Sequence, residues 1–84
     1  AGQRGVIPAG TTLAAARRLI AGELAAAGID DAGTEARLLL KLATGRDPAL
    51  PGAAAGTCLD AGEAARASGL AARRLAREPL ARLA

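Results

Sequence analysis

Residues 31–44 read DAGTEARLLLKLAT, and this stretch decides the fold. Ala and Leu dominate it, and both are strong helix formers. On a helix its apolar side chains cover about half of the circumference, which leaves Arg37 and Lys41 to mark the solvent side. These apolar residues are Ala36, Leu38, Leu39, Leu40, Leu42 and Ala43. We therefore predict a central helix that starts at a cap residue, Asp30 or Asp31, ends at Gly45 and packs against more than one neighbour.

A first amphipathic helix is predicted before the central one. It begins at an N-cap threonine, Thr11 or Thr12, whose hydroxyl can accept a first-turn N–H. It ends at Gly28, a residue type typical of the position after a helix. Arg18 lies opposite its apolar stripe, and Leu19 flanks it. The stripe consists of Leu13, Ala16, Ile20, Leu24 and Ala27.

A last helix is predicted after a connector rich in Pro and Gly. It begins at the pattern Asp60-x-x-Glu63, which resembles a capping box. It ends near Glu78, because Pro79 lacks an N–H and its ring clashes with the preceding turn. Its stripe consists of Ala64, Ala67, Leu70, Ala71 and Leu75. The sequence thus predicts an all-α bundle of three main helices, with one or two short helical turns in the connector, residues 46–58.

Composition limits the functional classes. The chain has 84 residues, 11 basic and 8 acidic, with no aromatic residue, no His and one Cys. The basic excess is small and no run of cations exceeds two residues, so a solvated basic surface is favoured over nucleic-acid binding. Without His and with a single Cys, neither an ordinary zinc site nor a disulfide within the chain is expected. We find no signal peptide and no apolar stretch that could span a membrane, and we expect a cytoplasmic protein.

Three parts of the chain are predicted. Residues 1–10 form a flexible leader, residues 11–78 form the helical domain, and residues 79–84 begin a hinge to a further domain. The tail after Pro79 is too short to form an element, so we expect the chain to continue into something else. Cys58, just before the last helix, is expected to be a small semi-buried residue rather than a reactive thiol. The residues predict no catalytic group, no cofactor site and no metal site.

Two charged residues fall within the predicted apolar stripes. Glu35 lies in the apolar arc of the central helix, and Arg74 lies in the stripe of the last helix. A charge buried alone is strongly unfavourable, so each needs a partner or a route to water. We predict a Glu35–Arg74 ion pair that links the two helices, with Glu23 as the second choice of acceptor. The competing interpretation is that both side chains reach solvent separately.

A resemblance to a known family follows from the order of several motifs. The stretch ARRLAREPLARLA, residues 72–84, is similar to the hinge of the release-factor glutamine methyltransferase family, the HemK family. The matches at the start of the domain are Thr12, Leu13, Ala16, Leu24, Ala27, Gly28 and Ile29. Those in the central helix are Asp31, Ala32, Glu35, Ala36, Leu39 and Leu40, followed by Gly45 and Arg46. The chain departs from the family at Arg37, at Ala67 and in residues 50–56.

The resemblance implies a function for the longer protein. The family transfers a methyl group from S-adenosylmethionine to the glutamine of the Gly-Gly-Gln motif of peptide chain release factors, in translation termination. Its cofactor and catalytic motifs lie in a C-terminal methyltransferase domain, so none is carried over to these residues. The resemblance implies that residues 11–78 are a substrate-recognition domain whose partners are the release factor and its own methyltransferase domain. The alternative is a free-standing helical interaction or dimerisation module.

An arginine edge on the last helix is the candidate contact with such a partner. Arg66, Arg73 and Arg77 fall close together on one side of the predicted helix. Arginine is enriched in protein interfaces, so we predict that this edge contributes to partner binding. The competing interpretation is an ordinary solvated helix face.

Overall fold

The computed structural model describes residues 7–46 and 56–77. Within them the chain forms three helices: α1, Leu13–Ala26; α2, Ala32–Thr44; and α3, Ala61–Leu75. These described residues contain no β-strand, only one isolated bridge between Thr12 and Cys58. The predicted all-α fold is confirmed. The short helical turns predicted in the connector fall mainly on residues 47–55, outside the described residues.

Helix α2 is the central element, as predicted. It packs against both α1 and α3, and its buried residues are Ala36, Leu39, Leu40 and Ala43. The prediction of the apolar arc was wrong at Leu42, whose side chain is 45% exposed. The buried residues of α3 are all alanines, which reach less far than leucines and cover less of the neighbouring helix. The flank of α2 that faces α3 is therefore only partly covered.

The helix boundaries follow from local chemistry. Thr12 caps α1 by accepting a hydrogen bond from the amide of Ala15 at 3.1 Å. Gly45 ends α2 with a left-handed φ of 74°, a conformation that glycine adopts without steric cost. Asp31 occupies the cap position of α2 but its side chain makes no capping hydrogen bond. Its left-handed backbone, with a φ of 54°, replaces the extended conformation of an ordinary N-cap.

Helix α3 begins as predicted and ends earlier. Asp60 and Glu63 form a complete capping box, with the amide of Glu63 donating to Asp60 Oδ1 at 2.7 Å. The helix ends at Leu75, about one turn before the predicted end near Glu78. The chain leaves the helix because Arg77 adopts a left-handed φ of 71°.

The segment before α1 belongs to the fold. Ile7 is 4% exposed, and its amide donates to Ser68 Oγ on α3 at 2.7 Å. Gly10 and Leu59 are joined by a backbone hydrogen bond of 2.8 Å. Within the stretch predicted as a flexible leader, residues 1–10, Ile7 is buried and Gly10 bonds to Leu59, while residues 8–10 are exposed. Residues 1–6 lie outside the described residues. The prediction of a semi-buried Cys58 was also wrong, since this thiol is exposed.

The three helices alternate in direction. The start of α1 lies beside the residues that lead into α3, since the amide of Leu13 donates to the carbonyl of Thr57 at 2.9 Å. The ends of the same two helices are joined by a hydrogen bond from Arg77 to the carbonyl of Ala27. Helices α1 and α3 therefore run in the same direction. No helix in the described part of the chain is long and apolar enough to cross a membrane.

Candidate partner-binding surface

The arginine edge, Arg66, Arg73 and Arg77, lies on the surface. All three side chains are exposed. Arg66 and Arg73 project from α3 itself, as predicted. The prediction that all three share one helix face is wrong for Arg77, because α3 ends at Leu75 and the backbone turns left-handed at Arg77.

Two members of the edge are anchored on the ends of other helices. The Nε of Arg66 donates to the carbonyl of Ala43 at 2.8 Å, in the last turn of α2. The Nη2 of Arg77 donates to the carbonyl of Ala27 at the end of α1. Carbonyls at a helix C-terminus lack a partner within the helix and carry partial negative charge, so they are good acceptors for guanidinium groups. These contacts orient both arginines while their side chains stay exposed.

The structure brings Glu35 and Arg74 together between α2 and α3. Arg74 Nε lies 2.6 Å from Glu35 Oε1, and Nη2 lies 3.3 Å from Oε2. The side chains are only 18% and 16% exposed, respectively. The hydrogen bond to Glu35 raises the pKa of Arg74; burial opposes this shift and the charge of Glu35 reinforces it. The ion pair predicted from the helical positions is present, with Glu35 rather than Glu23 as acceptor.

A second ion pair, which the sequence reasoning missed, closes the other end of the α2–α3 contact. Arg46 Nη2 lies 2.7 Å from Glu63 Oε1. The same carboxylate oxygen accepts the amide of Asp60 in the capping box at 3.1 Å. Nothing in the sequence predicted an ion pair for Arg46, because it follows Gly45 in the connector and has no helical position. Glu63 was explained in the sequence as a capping residue, so no ion-pair partner was sought for it.

The contacts between α2 and α3 form a regular series, which we call the seam. The paired positions are 35 with 74, 43 with 66, and 46 with 63. Each step forward along α2 is matched by an equal step back along α3, which is the register of two antiparallel helices. Polar contacts thus hold α3, whose own buried residues are only alanines, in one position along α2.

An exposed leucine lies beside the seam. Leu42 directly precedes Ala43, the residue whose carbonyl accepts the hydrogen bond from Arg66. Its side chain is 45% exposed, one residue before the carbonyl that accepts from Arg66. An exposed apolar side chain together with exposed arginines has the chemistry of a protein contact surface. We call Leu42, Arg66 and Arg73 the seam surface.

The chemical groups of the described residues limit what the domain can do. Within residues 7–46 and 56–77, no group of three or more His, Cys, Asp or Glu side chains could hold a metal ion. The acidic side chains Glu35 and Glu63 are engaged by Arg74 and Arg46. The described residues form a small all-α domain of three packed helices.

The comparison with known families identifies this class of domain. A family model described as the PrmC N-terminal domain matches residues 15–84. The chain therefore belongs to the family of N-terminal domains of PrmC, also called HemK, in agreement with the resemblance found in the sequence. No curated protein and no solved structure matched the chain.

Proposed function

We propose that this chain is the substrate-recognition domain of an S-adenosylmethionine-dependent protein methyltransferase. The enzyme methylates the glutamine of the Gly-Gly-Gln motif of peptide chain release factors. The observation that carries this proposal is the match of the PrmC N-terminal domain to residues 15–84. In this proposal the cofactor and the catalytic groups belong to a separate methyltransferase domain of the parent enzyme. That methyltransferase domain is the second partner of the helical domain, after the release factor.

The seam surface is our candidate for the contact with the release factor. Arg66 is held by the carbonyl of Ala43 at 2.8 Å, so less side-chain entropy is lost when it binds. Leu42 offers an apolar side chain that a partner can bury. Charged groups beside an apolar contact favour a partner with complementary acidic groups and speed the encounter.

Titration calorimetry of the 84-residue chain with a purified, unmethylated bacterial release factor tests the proposal. We expect saturable binding with one-to-one stoichiometry. Failure to bind any release factor, together with self-association in analytical ultracentrifugation, would instead support a dimerisation module.

Two exposed leucines provide a matched pair of variants for the surface. Leu42 is 45% exposed on α2, and Leu19 is 50% exposed on α1. We expect Leu42→Ser to weaken binding of the release factor about tenfold and Leu19→Ser to change it less than about twofold, because only the first lies on the seam surface. Equal effects of the two substitutions would reject the seam surface as the contact.

A further inference from the structure

A second charged surface lies between α1 and the first turn of α2. It is a shallow cleft of about 330 Å³ lined by Ala14, Arg17, Arg18, Ala21 and Gly33. Three of these five residues have a methyl group or no side chain, so the walls are small and leave room for a side chain from another molecule. The two remaining residues are arginines. We call this the α1–α2 cleft.

The arginines of the cleft have no carboxylate partner among the described residues. Arg17 Nε donates to the carbonyl of Gly33 at 3.3 Å, which directs its guanidinium across the cleft and uses only one of its donors. Arg18 is exposed and forms no ion pair with a described residue. By contrast, Arg46 and Arg74 each contact a glutamate.

The acidic residues nearest to the cleft in the sequence do not neutralise the charges of Arg17 and Arg18. Asp30 and Asp31 precede α2 and are exposed, and neither forms an ion pair with Arg17 or Arg18. Glu35, one turn into α2, is engaged by Arg74 on the other side of the helix. The cleft therefore keeps two guanidinium groups, which match the geometry of a carboxylate.

We propose that the α1–α2 cleft binds a carboxylate side chain from an acidic segment of a protein partner. Nucleic acid is disfavoured, because the cleft has only two cations and the chain has no aromatic side chain on which a base could stack. The cleft and the seam lie on different sides of α2, so two separate segments of the partner contact the domain. The identity of that partner as a release factor rests on the function proposed above.

A nuclear magnetic resonance titration of the 84-residue chain tests the cleft directly. The probe is a capped peptide with two glutamates between glycines, and the same peptide with glutamines is the control. We expect the glutamate peptide to shift the backbone amides of Arg17, Arg18 and Gly33, and Arg18→Glu to abolish these shifts. Lys41→Glu, the same charge change at an exposed residue of α2 outside the cleft lining, should leave them intact. Shifts that survive Arg18→Glu, or no shifts in the cleft, would overturn the proposal.

The same variants with a release factor separate this inference from the proposed function. We expect Arg18→Glu to weaken binding about tenfold and Lys41→Glu to change it less than about twofold. If wild type binds no release factor but the peptide shifts the cleft amides, the proposed function is contradicted and the cleft assignment stands. If Arg18→Glu and wild type bind equally and the peptide causes no shift, the cleft assignment fails and the proposed function stands.

Discussion

The seam between α2 and α3 and the cleft between α1 and α2 use arginine in different ways. In the seam, Arg46, Arg66 and Arg74 each contact an oxygen of the other helix or its cap, at 2.6–2.8 Å. In the cleft, Arg17 and Arg18 face small residues of α1 and Gly33 of α2, and neither contacts a carboxylate of the described chain. The difference comes from α2, which presents Glu35 toward α3 and Gly33 toward α1. The three seam arginines are therefore held by contacts within the fold, with Arg66 also part of the seam surface, whereas the two cleft arginines have no carboxylate contact among the described residues.

The Glu35–Arg74 pair should give the largest effect on stability. Arg74→Ala or Glu35→Ala leaves a largely buried charge without its partner, and we expect each to lower the free energy of unfolding by about 2 kcal/mol, between the values for exposed and buried pairs. Urea denaturation of both single variants and the double variant gives the coupling energy, which we expect to be at least about 1 kcal/mol. A coupling near zero would show that the contact does not stabilise the fold.

The pH dependence of this pair has a defined sign. The raised pKa of Arg74 means that its contribution is fully present below the pKa of the unfolded chain and is lost only as pH rises through the higher folded value. Between about pH 6 and pH 9, the difference in stability between wild type and Arg74→Ala should stay constant, because an arginine remains charged there. If the stability difference between wild type and Arg74→Ala decreased between about pH 6 and pH 9, Arg74 would not be the stabilising charge of the pair.

In the Arg46–Glu63 ion pair, removing the glutamate should lower stability more than removing the arginine. Glu63 accepts from both Arg46 and the amide of Asp60, so Glu63→Ala removes a capping bond and an ion pair together. We expect Glu63→Ala to lower the free energy of unfolding by about 1–2 kcal/mol and Arg46→Ala by less than about 1 kcal/mol. Thermal unfolding followed by circular dichroism compares the two. Equal losses would show that the capping bond contributes little.

The sequence alone was enough to predict the three helices and one contact of the seam, the Glu35–Arg74 ion pair. Glu35 and Arg74 could be paired because each is a charge inside an apolar stripe, where it needs a partner. Arg17 and Arg18 could not be assigned to a cleft, because a helical wheel shows that Arg18 is opposite the core but not which neighbouring helix passes beside it. Ile7 was missed because the segment before α1 has no periodicity, and its burial depends on residues far along the chain, such as Ser68.

Replacing a glycine by alanine should change the free energy of unfolding by a small amount, with opposite signs at Gly45, near the seam, and at Gly33, in the cleft. Gly45 has a φ of 74°, whereas Gly33 is helical and a Cβ there would lie 3.8 Å from Arg17 Nη2, an ordinary contact. We expect Gly45→Ala to lower the free energy of unfolding by about 1 kcal/mol and Gly33→Ala to raise it by up to about 1 kcal/mol. Chemical denaturation measures both. Destabilisation by Gly33→Ala would show that the cleft is packed more tightly than the structure indicates.

One crossed measurement tests the contrast between seam and cleft most directly. Arg74→Glu and Arg18→Glu change the same charge, and each variant is measured for its free energy of unfolding and, under conditions where it is folded, for its affinity for a release factor. We predict that Arg74→Glu destabilises the chain by at least about 2 kcal/mol, whereas Arg18→Glu changes stability by less than about 0.5 kcal/mol and weakens binding about tenfold. If Arg18→Glu destabilises the chain as much as Arg74→Glu, or binds as tightly as wild type, the contrast between Arg74 as a structural residue and Arg18 as a partner-binding residue is wrong.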